Sequence, residues 1–416
     1  MKPTSRTETL TAAALVTALA ACAPPITGDS SDSDDTTPEP TAGAESPIDA
    51  PPVLDGPCLL GAPAPRRLVV TTTDFATGAV SVVDGLTGAV SQDVALGSVD
   101  ALPFYHAGLV YLLHRYQLDA LDVIDPDDGW ATVSQQAIAG DAPSTNPHAI
   151  AFADDGLAYV PLFGVPEVRV FDLADPRAPE HVATLDLSPI ADVDGNPEAS
   201  LAVACGGAVF VTVERLDATA QFAPTAATDL IVAFDRESGR IHDYDPDAPG
   251  IQGLETLGRW ARQWRLDPKD SSGQTLLALT TGLERINLAE GTVAWAVPQS
   301  ALEAVGIDHY MLPQAFALDA AGELAYLASY RPDFSAVTLY RVGLDGRAPA
   351  VPEPIDEGLL TVERAIERID DTLWYADTTL GDAGLRALDL TVDPPTPAFD
   401  GAISVGLAPY AMIAVP

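Results

Sequence analysis

The chain has 416 residues, 47% of them hydrophobic, and carries 60 acidic against 21 basic residues, a net charge of −39. Such a surface repels phosphate backbones and anionic lipid headgroups, so the charge balance excludes nucleic acid as a partner. The length is ample for a large core and, taken alone, predicts two or three domains of roughly 150 residues each.

Residues 1–21 have the organisation of an export signal and do not belong to the fold. Lys2 and Arg6 supply the positive charge, and the apolar stretch "LTAAALVTALAA" that follows is too short to span a membrane as a stable helix. The segment ends in "LAAC", in which the cysteine is Cys22.

Small residues before a cysteine resemble the lipobox of bacterial lipoproteins, in which the signal is cut before the cysteine and the thiol is acylated. The resemblance makes Cys22 the lipidation site and the membrane a partner through this anchor. Ala23, in place of Asp after the cysteine, favours the outer membrane of a Gram-negative bacterium. The alternative is an ordinary secretory signal followed by a chance cysteine.

Residues 22–55 are rich in Pro, Ser, Thr, Asp and Gly and lack apolar periodicity. Such a segment cannot bury enough surface to offset its ordering entropy, so we expect a disordered acidic tether. Fully extended, it would hold the folded part up to ~100 Å from the membrane.

Two cysteines remain once Cys22 is lipidated, and an exported protein with two further thiols favours a disulfide between Cys58 and Cys205. The alternative is that Cys205, in the apolar stretch "LAVACGG", is a buried free thiol. Because the sequence does not give the distance between the two alpha carbons, both interpretations stay open.

A short pattern of alternating apolar residues ending in Asp, or a substitute, directly before a turn recurs along the chain. Successive copies lie 41 to 63 residues apart. Each copy is preceded by a second run dense in Val, Leu, Tyr and Thr, as in "LAYVPLF", which is typical of strands buried on both faces. The copies end at Asp84, Asp125, Asp172, Asp235, Asn287, Gly343 and Asp389.

Four strands for each copy, seven times over, predict an all-β fold over residues 56–416, a seven-bladed β-propeller with four-stranded blades. A row of small sandwich domains fits poorly, because the units are short and no linkers separate them. The first copy lacks its first strand, and the C-terminal stretch "PYAMIAVP", Pro409–Pro416, supplies it. We therefore expect a 3+1 closure that removes a sheet edge.

The repeats resemble the YVTN-type and LVIVD-type propeller families of bacterial exported proteins. "NPHAIAFADDGLAYVPLFGVPEVRVFDLADPRAPEHVATLDL" carries the best match, and the likeness extends over roughly residues 66–416. The motifs specify blade geometry, so the resemblance implies fold much more than activity.

Equivalent positions of the innermost strands converge on the channel of a propeller, so the residue between Pro and Ala in each first strand predicts a polar ring. The ring could bind a small polar ligand or ion, or its members could pair with one another and with water. Blade five aligns too poorly to assign, and Arg262 is our guess for it. The residues between Pro and Ala are His148, Glu198, Gln314 and Tyr410, and alignment puts Asp100 and Arg364 in the same place.

Two insertions lie on this frame, Arg215–Asp229 and Asp243–Trp264, the second with a possible short helix. Long loops on a rigid scaffold are where propellers bind partners, although irregular surface structure is the alternative.

No zinc signature, phosphate loop or nucleophile elbow is present in the sequence. Asp192, Asp194 and Asn196, in "DVDGN", resemble the start of a calcium loop, but the Gly and the distal Glu of an EF-hand are missing. A solvated turn is the alternative to a calcium site there.

These features favour a membrane-anchored, extracytoplasmic binding or scaffolding module over an enzyme, with an envelope protein or a small polar ligand as partner. The enzyme alternative is a propeller hydrolase or lyase of lactonase-like type, or an oxidoreductase, with its site at the mouth of the channel. A purely structural envelope component is a third possibility.

Overall fold

The computed structural model describes residues 46–61, 64–115, 117–140, 144–308, 315–331, 333–360 and 364–416. These residues form seven four-stranded antiparallel sheets, the blades of the predicted propeller, and one short two-stranded hairpin. None of the helices within these ranges is long and apolar enough to cross a membrane. The predicted export signal, Cys22 and Gln314 lie outside the described residues.

The blades follow one another in chain order. Blade one contains β1 (Arg67–Thr73), β2 (Gly78–Asp84) and β3 (Val90–Gly97), and blade two contains β4 (Leu102–His106), β5 (Leu109–His114), β6 (Ala120–Asp125) and β7 (Ala131–Ala137). Blade three contains β8 (Ala151–Phe152), β9 (Leu157–Pro161), β10 (Glu167–Asp172) and β11 (Glu180–Asp186). Blade four contains β12 (Ala199–Cys205), β13 (Ala208–Val213), β16 (Leu230–Asp235) and β17 (Leu254–Glu255), and the hairpin β14 (Leu216–Asp217) and β15 (Ala223–Pro224) is inserted within it.

The remaining blades are built in the same way. Blade five contains β18 (Gln263–Leu266), β19 (Thr275–Leu279), β20 (Leu283–Asn287) and β21 (Thr292–Val297), followed by the short helix α1 (Gln299–Glu303). Blade six contains β22 (Phe316–Leu318), β23 (Leu324–Tyr330), β24 (Val337–Gly343) and β25 (Glu353–Leu359). Blade seven contains β26 (Ile366–Ile369), β27 (Thr372–Asp377), β28 (Gly384–Asp389) and β29 (Thr396–Pro397), and β30 (Ala408–Val415) ends the chain.

The hydrophobic core lies between adjacent blades. Successive side chains of a strand point to opposite faces, so a strand with a neighbouring blade on each side is apolar on both. In β1, Leu68 and Val70 pack against blade seven, whereas Val69 packs against blade two. Among the described residues, seven such clusters fill the seven gaps between blades.

The recurrent Asp at the end of the third strand caps the following turn, as the repeat predicts. Asp84 Oδ1 accepts hydrogen bonds from the backbone N–H groups of Leu86 at 3.1 Å and Thr87 at 2.7 Å. Asp235 Oδ1 likewise accepts from the N–H of Ser238 at 2.8 Å. A short side chain that bonds its own backbone two or three residues on stabilises such turns.

The ring closes through β30, which pairs antiparallel with β1 from Arg67↔Val415 to Thr73↔Ala408. Blade one therefore has the order β3-β2-β1-β30, and the predicted 3+1 closure is confirmed. The innermost strands contact one another around the channel, β30 with β4 and β26, and β8 with β12.

The structure corrects the boundary of the tether that the sequence predicts for residues 22–55. Ile48 forms a parallel bridge with His242, and its N–H donates to the Ile241 carbonyl at 2.8 Å. Pro52 is buried. Residues 46–55 therefore belong to the folded part, because the outer edge of blade four offers backbone partners that composition does not reveal.

The N-terminal segment is also joined covalently to blade four. Cys58 and Cys205 form a disulfide, and both cysteines are buried. Beside it, the Leu59 N–H donates to the Ala204 carbonyl at 2.9 Å, at the far end of innermost strand β12.

Candidate ligand site in the central channel

Two adjoining cavities lie in the channel. We call the first, of about 390 Å³, the mouth cavity, because its lining combines the starts of innermost strands with the loops beside them. The second, of about 410 Å³, is the inner chamber, lined by the innermost strands themselves. Four residues border both cavities: His148, Leu201, Arg262 and Arg364.

Part of the predicted polar ring is assembled here. His148 and Arg364 line both cavities, as does Arg262, the guessed residue of blade five. Beside them, the guanidinium group of Arg115 contacts both Asp100 and Tyr410. Arg115 Nε lies 3.6 Å from Asp100 Oδ2, and Arg115 Nη2 donates to the Tyr410 hydroxyl at 2.5 Å.

Glu198 does not belong to the ring, and this part of the prediction is wrong. Its side chain is fully buried behind the mouth, where Oε2 accepts from the Leu216 N–H at 2.7 Å and Oε1 from Asn196 Nδ2 at 3.0 Å. Burial raises the pKa of Glu198 to about 8. The carboxyl group thus holds the β14–β15 hairpin instead of facing the channel.

Glu214, which directly follows β13, supplies the acidic group of the mouth cavity. Burial raises the pKa of Glu214 to about 7, against the opposing effects of a hydrogen bond with Ser200 and the positive charges of Arg262 and Arg364. A carboxyl group that titrates near neutral pH can both accept and donate a proton there.

His148 is a neutral imidazole at neutral pH. Burial, together with the charges of Arg115 and Arg364, lowers the pKa of His148 well below its usual value. The ring stacks on Phe163 with centroids 4.4 Å apart and an interplanar angle of 17°. It can offer one N–H donor and one acceptor to a ligand.

The two predicted insertions form the aromatic wall of the mouth. Phe222 comes from Arg215–Asp229, Trp260 from Asp243–Trp264, and both line the cavity. The predicted short helix in the second insertion is wrong: the segment holds β17 and the start of β18, and its several Pro and Gly residues disfavour a helix.

Buried carboxylates hold the loop that carries Trp260. Glu284 accepts from the N–H groups of Leu257 at 2.8 Å and Gly258 at 2.7 Å, and Asp229 accepts from the Ala261 N–H at 2.8 Å. Burial raises the pKa of Glu284, and burial together with the charge of Glu214 raises the pKa of Asp229 well above its usual value.

The suggested calcium loop lies beside the mouth, and its two aspartates accept hydrogen bonds from a neighbouring loop. Asp194 Oδ2 accepts from the Ala218 N–H at 2.7 Å, and Asp192 Oδ2 accepts from Thr225 Oγ1 at 2.8 Å. Within the described ranges, no group of three His, Cys, Asp or Glu side chains is placed to share a metal ion. Calcium binding by Asp192, Asp194 and Asn196 stays a prediction.

Ser200, Glu214 and Trp260 were not identified as site residues from the sequence. The predicted ring and the two insertions pointed to this region without singling out these three residues. Glu214 gives no signal of its own, since its burial depends on the neighbouring blade and loops.

No model of a protein family matches the chain, and no curated protein matches it in sequence. Solved structures match it over most of its length. The periplasmic gluconolactonase of Pseudomonas aeruginosa has a TM-score of 0.56 and 14% identity, over 84% of this chain and 99% of that one. Two proteins proposed to be 6-phosphogluconolactonases have similar folds. The protein from Bacteroides fragilis has a TM-score of 0.55 and 10% identity, over 84% of this chain and 97% of that one. The protein from Bacteroides uniformis has a TM-score of 0.53 and 11% identity, over 84% of this chain and 99% of that one. At these identities the likeness shows the propeller fold alone.

Proposed function

We propose that the protein binds a small, polar, anionic molecule in the mouth cavity. The observation that carries the proposal is that Arg262 and Arg364 line this cavity in a chain of net charge −39. A guanidinium is always charged and offers several donors to a carboxylate or phosphate. Guanidinium groups in the channel of an otherwise acidic protein make the channel the favoured place for an anion.

The remaining groups fit a hydroxylated ligand. Neutral His148 and the hydroxyl of Ser200 can exchange hydrogen bonds with hydroxyl groups, and Phe222 and Trp260 offer flat apolar faces. A concave site with a few convergent polar groups among aromatic side chains is the usual form of a small-molecule site.

Calorimetric titration with gluconate, and with glucose as its uncharged counterpart, tests the proposal. We expect gluconate to bind and glucose to bind much more weakly. Arg262→Gln and Arg364→Gln should each weaken gluconate binding roughly 10- to 100-fold, because a hydrogen-bonded charge pair is lost. Arg177→Gln is the matched control, since Arg177 pairs with Asp125 and Asp128 on the surface. Equal binding of gluconate and glucose would contradict the proposal.

Hydrolysis of a lactone is a second candidate function, favoured by the position of Glu214 beside the arginines. The Glu214 carboxylate would take a proton from water while the water oxygen attacks the lactone carbonyl. The ring C–O bond would then break, and the departing oxygen would receive the proton, giving a hydroxy acid. Arg262 and Arg364 would stabilise the negative charge on the carbonyl oxygen. The gluconolactonase of similar fold agrees with this candidate and does not establish it.

Proton release from glucono-δ-lactone, measured against the spontaneous rate, tests this candidate. Glu214→Gln should lower any enzymatic rate roughly 10²- to 10⁴-fold while gluconate still binds. Glu180→Gln, an exposed site on β11, is the control. If the wild-type protein does not accelerate hydrolysis, the lactonase candidate is excluded and only the binding function remains. An undiminished rate in Glu214→Gln would exclude Glu214 as the base.

We further propose that the site works outside the cytoplasm, on a protein anchored to the outer membrane through lipidated Cys22. The support is the export signal and the "LAAC" sequence. A scaffolding role with an envelope protein as partner stays a prediction.

A further inference from the structure

We propose that the inner chamber binds the apolar part of the same ligand, so that the ligand class is an amphipathic carboxylate or lactone with an alkyl or aromatic group. This rests on the proposed function for the position of the charged group. The mouth cavity would hold the polar head, and the inner chamber would hold the tail.

The chamber is mainly apolar and aromatic. Its volume is about 410 Å³, and its walls include Leu60, Phe104, Ile150, Trp264, Met412 and Ile413. A cavity of this size is far larger than the voids that close packing normally leaves in a protein, so it has room for a small apolar group. Water would gain few hydrogen bonds from such walls, whereas an apolar group would gain their burial.

Several polar side chains of the chamber are engaged within the protein, whereas Trp264 Nε1 has no hydrogen-bond partner among the described residues. Arg265 lies 3.0 Å from Glu367 and donates to the Phe316 carbonyl at 2.6 Å. Gln263 Oε1 accepts from the Phe316 N–H at 2.9 Å. His106 stacks on Phe152 with centroids 4.5 Å apart. A ligand therefore meets mostly hydrocarbon on this side of the arginines.

Head and tail can be bound together because the charged residues stand at the junction. Arg262 and Arg364 border both cavities, so a carboxylate beside their guanidiniums has the apolar chamber directly behind it. The mouth side presents Glu214 and Ser200, which suit the polar end. The two cavities thus fix the orientation of the ligand.

The N-terminal segment closes part of the far end of the chamber. Leu59, Leu60 and Gly61 line it, and the Cys58–Cys205 disulfide holds them at the end of β12 that is remote from the mouth. A tail that enters from the mouth therefore meets this floor, which sets an upper limit to its length.

Calorimetry with propanoate, hexanoate and octanoate, beside gluconate, tests the inference. Each added methylene buried in the chamber should tighten binding roughly fourfold. Leu60→Asn should reduce this gain and leave gluconate binding unchanged. Leu118→Asn, at a side chain 55% exposed, is the matched control. Ile413→Phe fills part of the chamber and should lower the affinity for octanoate more than for propanoate.

The outcomes separate the two proposals. Gluconate binding with no dependence on chain length among the alkanoates overturns the chamber and leaves the mouth site standing. A second outcome is that affinity rises with alkanoate chain length, that Arg262→Gln and Arg364→Gln still bind octanoate, and that gluconate does not bind. This outcome supports the chamber and overturns the anionic mouth site. Retained gluconate binding in Leu60→Asn and Ile413→Phe shows that these variants are folded.

Discussion

Single buried carboxyl groups organise the mouth of the channel. Glu198, Asp229 and Glu284 accept hydrogen bonds from backbone N–H groups of the loops that carry the aromatic wall. Burying a carboxylate is costly, so in all three burial raises the pKa. These residues position the site without lining it.

Glu198 provides a test at the residue scale, because burial raises its pKa from the usual value of 4.5 to about 8. The folded state then binds the proton more tightly than the unfolded state. This stabilisation is fully present below pH 4.5 and is lost as pH rises through about 8. Thermal unfolding from pH 4.5 to 9 should show Glu198→Gln losing less stability with rising pH than the wild type, by roughly 1.4 kcal/mol for each pKa unit.

Glu180→Gln serves as the control for Glu198→Gln, because Glu180 is exposed on β11 and should leave the pH dependence of unfolding unchanged. A Glu198→Gln protein with the pH profile of the wild type would show that Glu198 is ionised in the folded state.

Alignment of the repeats could predict the residues that begin a regular innermost strand. Alignment placed His148 and Arg364 at the channel in this way, and both line the two cavities. Glu198 was misplaced because the repeat aligns its position but not the direction of its side chain, which reaches Leu216. Glu214 could not be found, because its environment is created by Arg262 and Arg364, which are distant in the sequence.

At the scale of the elements, strands and turns were predictable and loops were not. The Asp at the end of a third strand acts through its own backbone neighbours, as Asp84 does, so local sequence suffices. The conformation of the loop between β16 and β18 is set by contacts with other blades, such as the hydrogen bonds that Leu257 and Gly258 donate to Glu284. A short helix was wrongly expected there for that reason.

Strand β30 provides the element-scale prediction. Deleting residues 409–416 should destabilise the whole propeller, because β1 loses its ladder partner and Met412 and Val415 leave the core. Met412→Ala is the milder version and should cost about 2–5 kcal/mol in chemical unfolding.

Leu380→Ala is the matched control for Met412→Ala, because the Leu380 side chain is 95% exposed, and it should change stability by less than about 0.5 kcal/mol. Unchanged unfolding of the chain that lacks residues 409–416 would contradict the role of β30 in closing the ring.

At the scale of the whole molecule, the propeller was predictable because seven copies of one pattern repeat the same evidence. The attachment of residues 46–55 to the propeller could not be predicted, because it depends on the edge of blade four near Ile241. The channel likewise combines groups from many blades, so the grouping of Arg262 with Arg364 is visible only in the folded chain.

Lipid attachment gives the whole-molecule prediction. Cys22→Ala should yield a folded protein in the soluble fraction of lysed cells, whereas the wild type should sediment with the membranes, since the acyl chains would be lost with the thiol. Ser31→Ala, in the same segment, is the control and should leave the distribution unchanged. Membrane association of Cys22→Ala would contradict lipidation.

The Cys58–Cys205 disulfide also decides how mechanical force would enter the ring. Tension applied at the N-terminus reaches Ile48 and the disulfide before it reaches β1, which begins at Arg67. The covalent bond passes that tension to β12 of blade four, and the non-covalent seam between β1 and β30 is spared. A propeller pulled at its N-terminus would therefore keep its ring closed until the disulfide is broken or blade four unfolds.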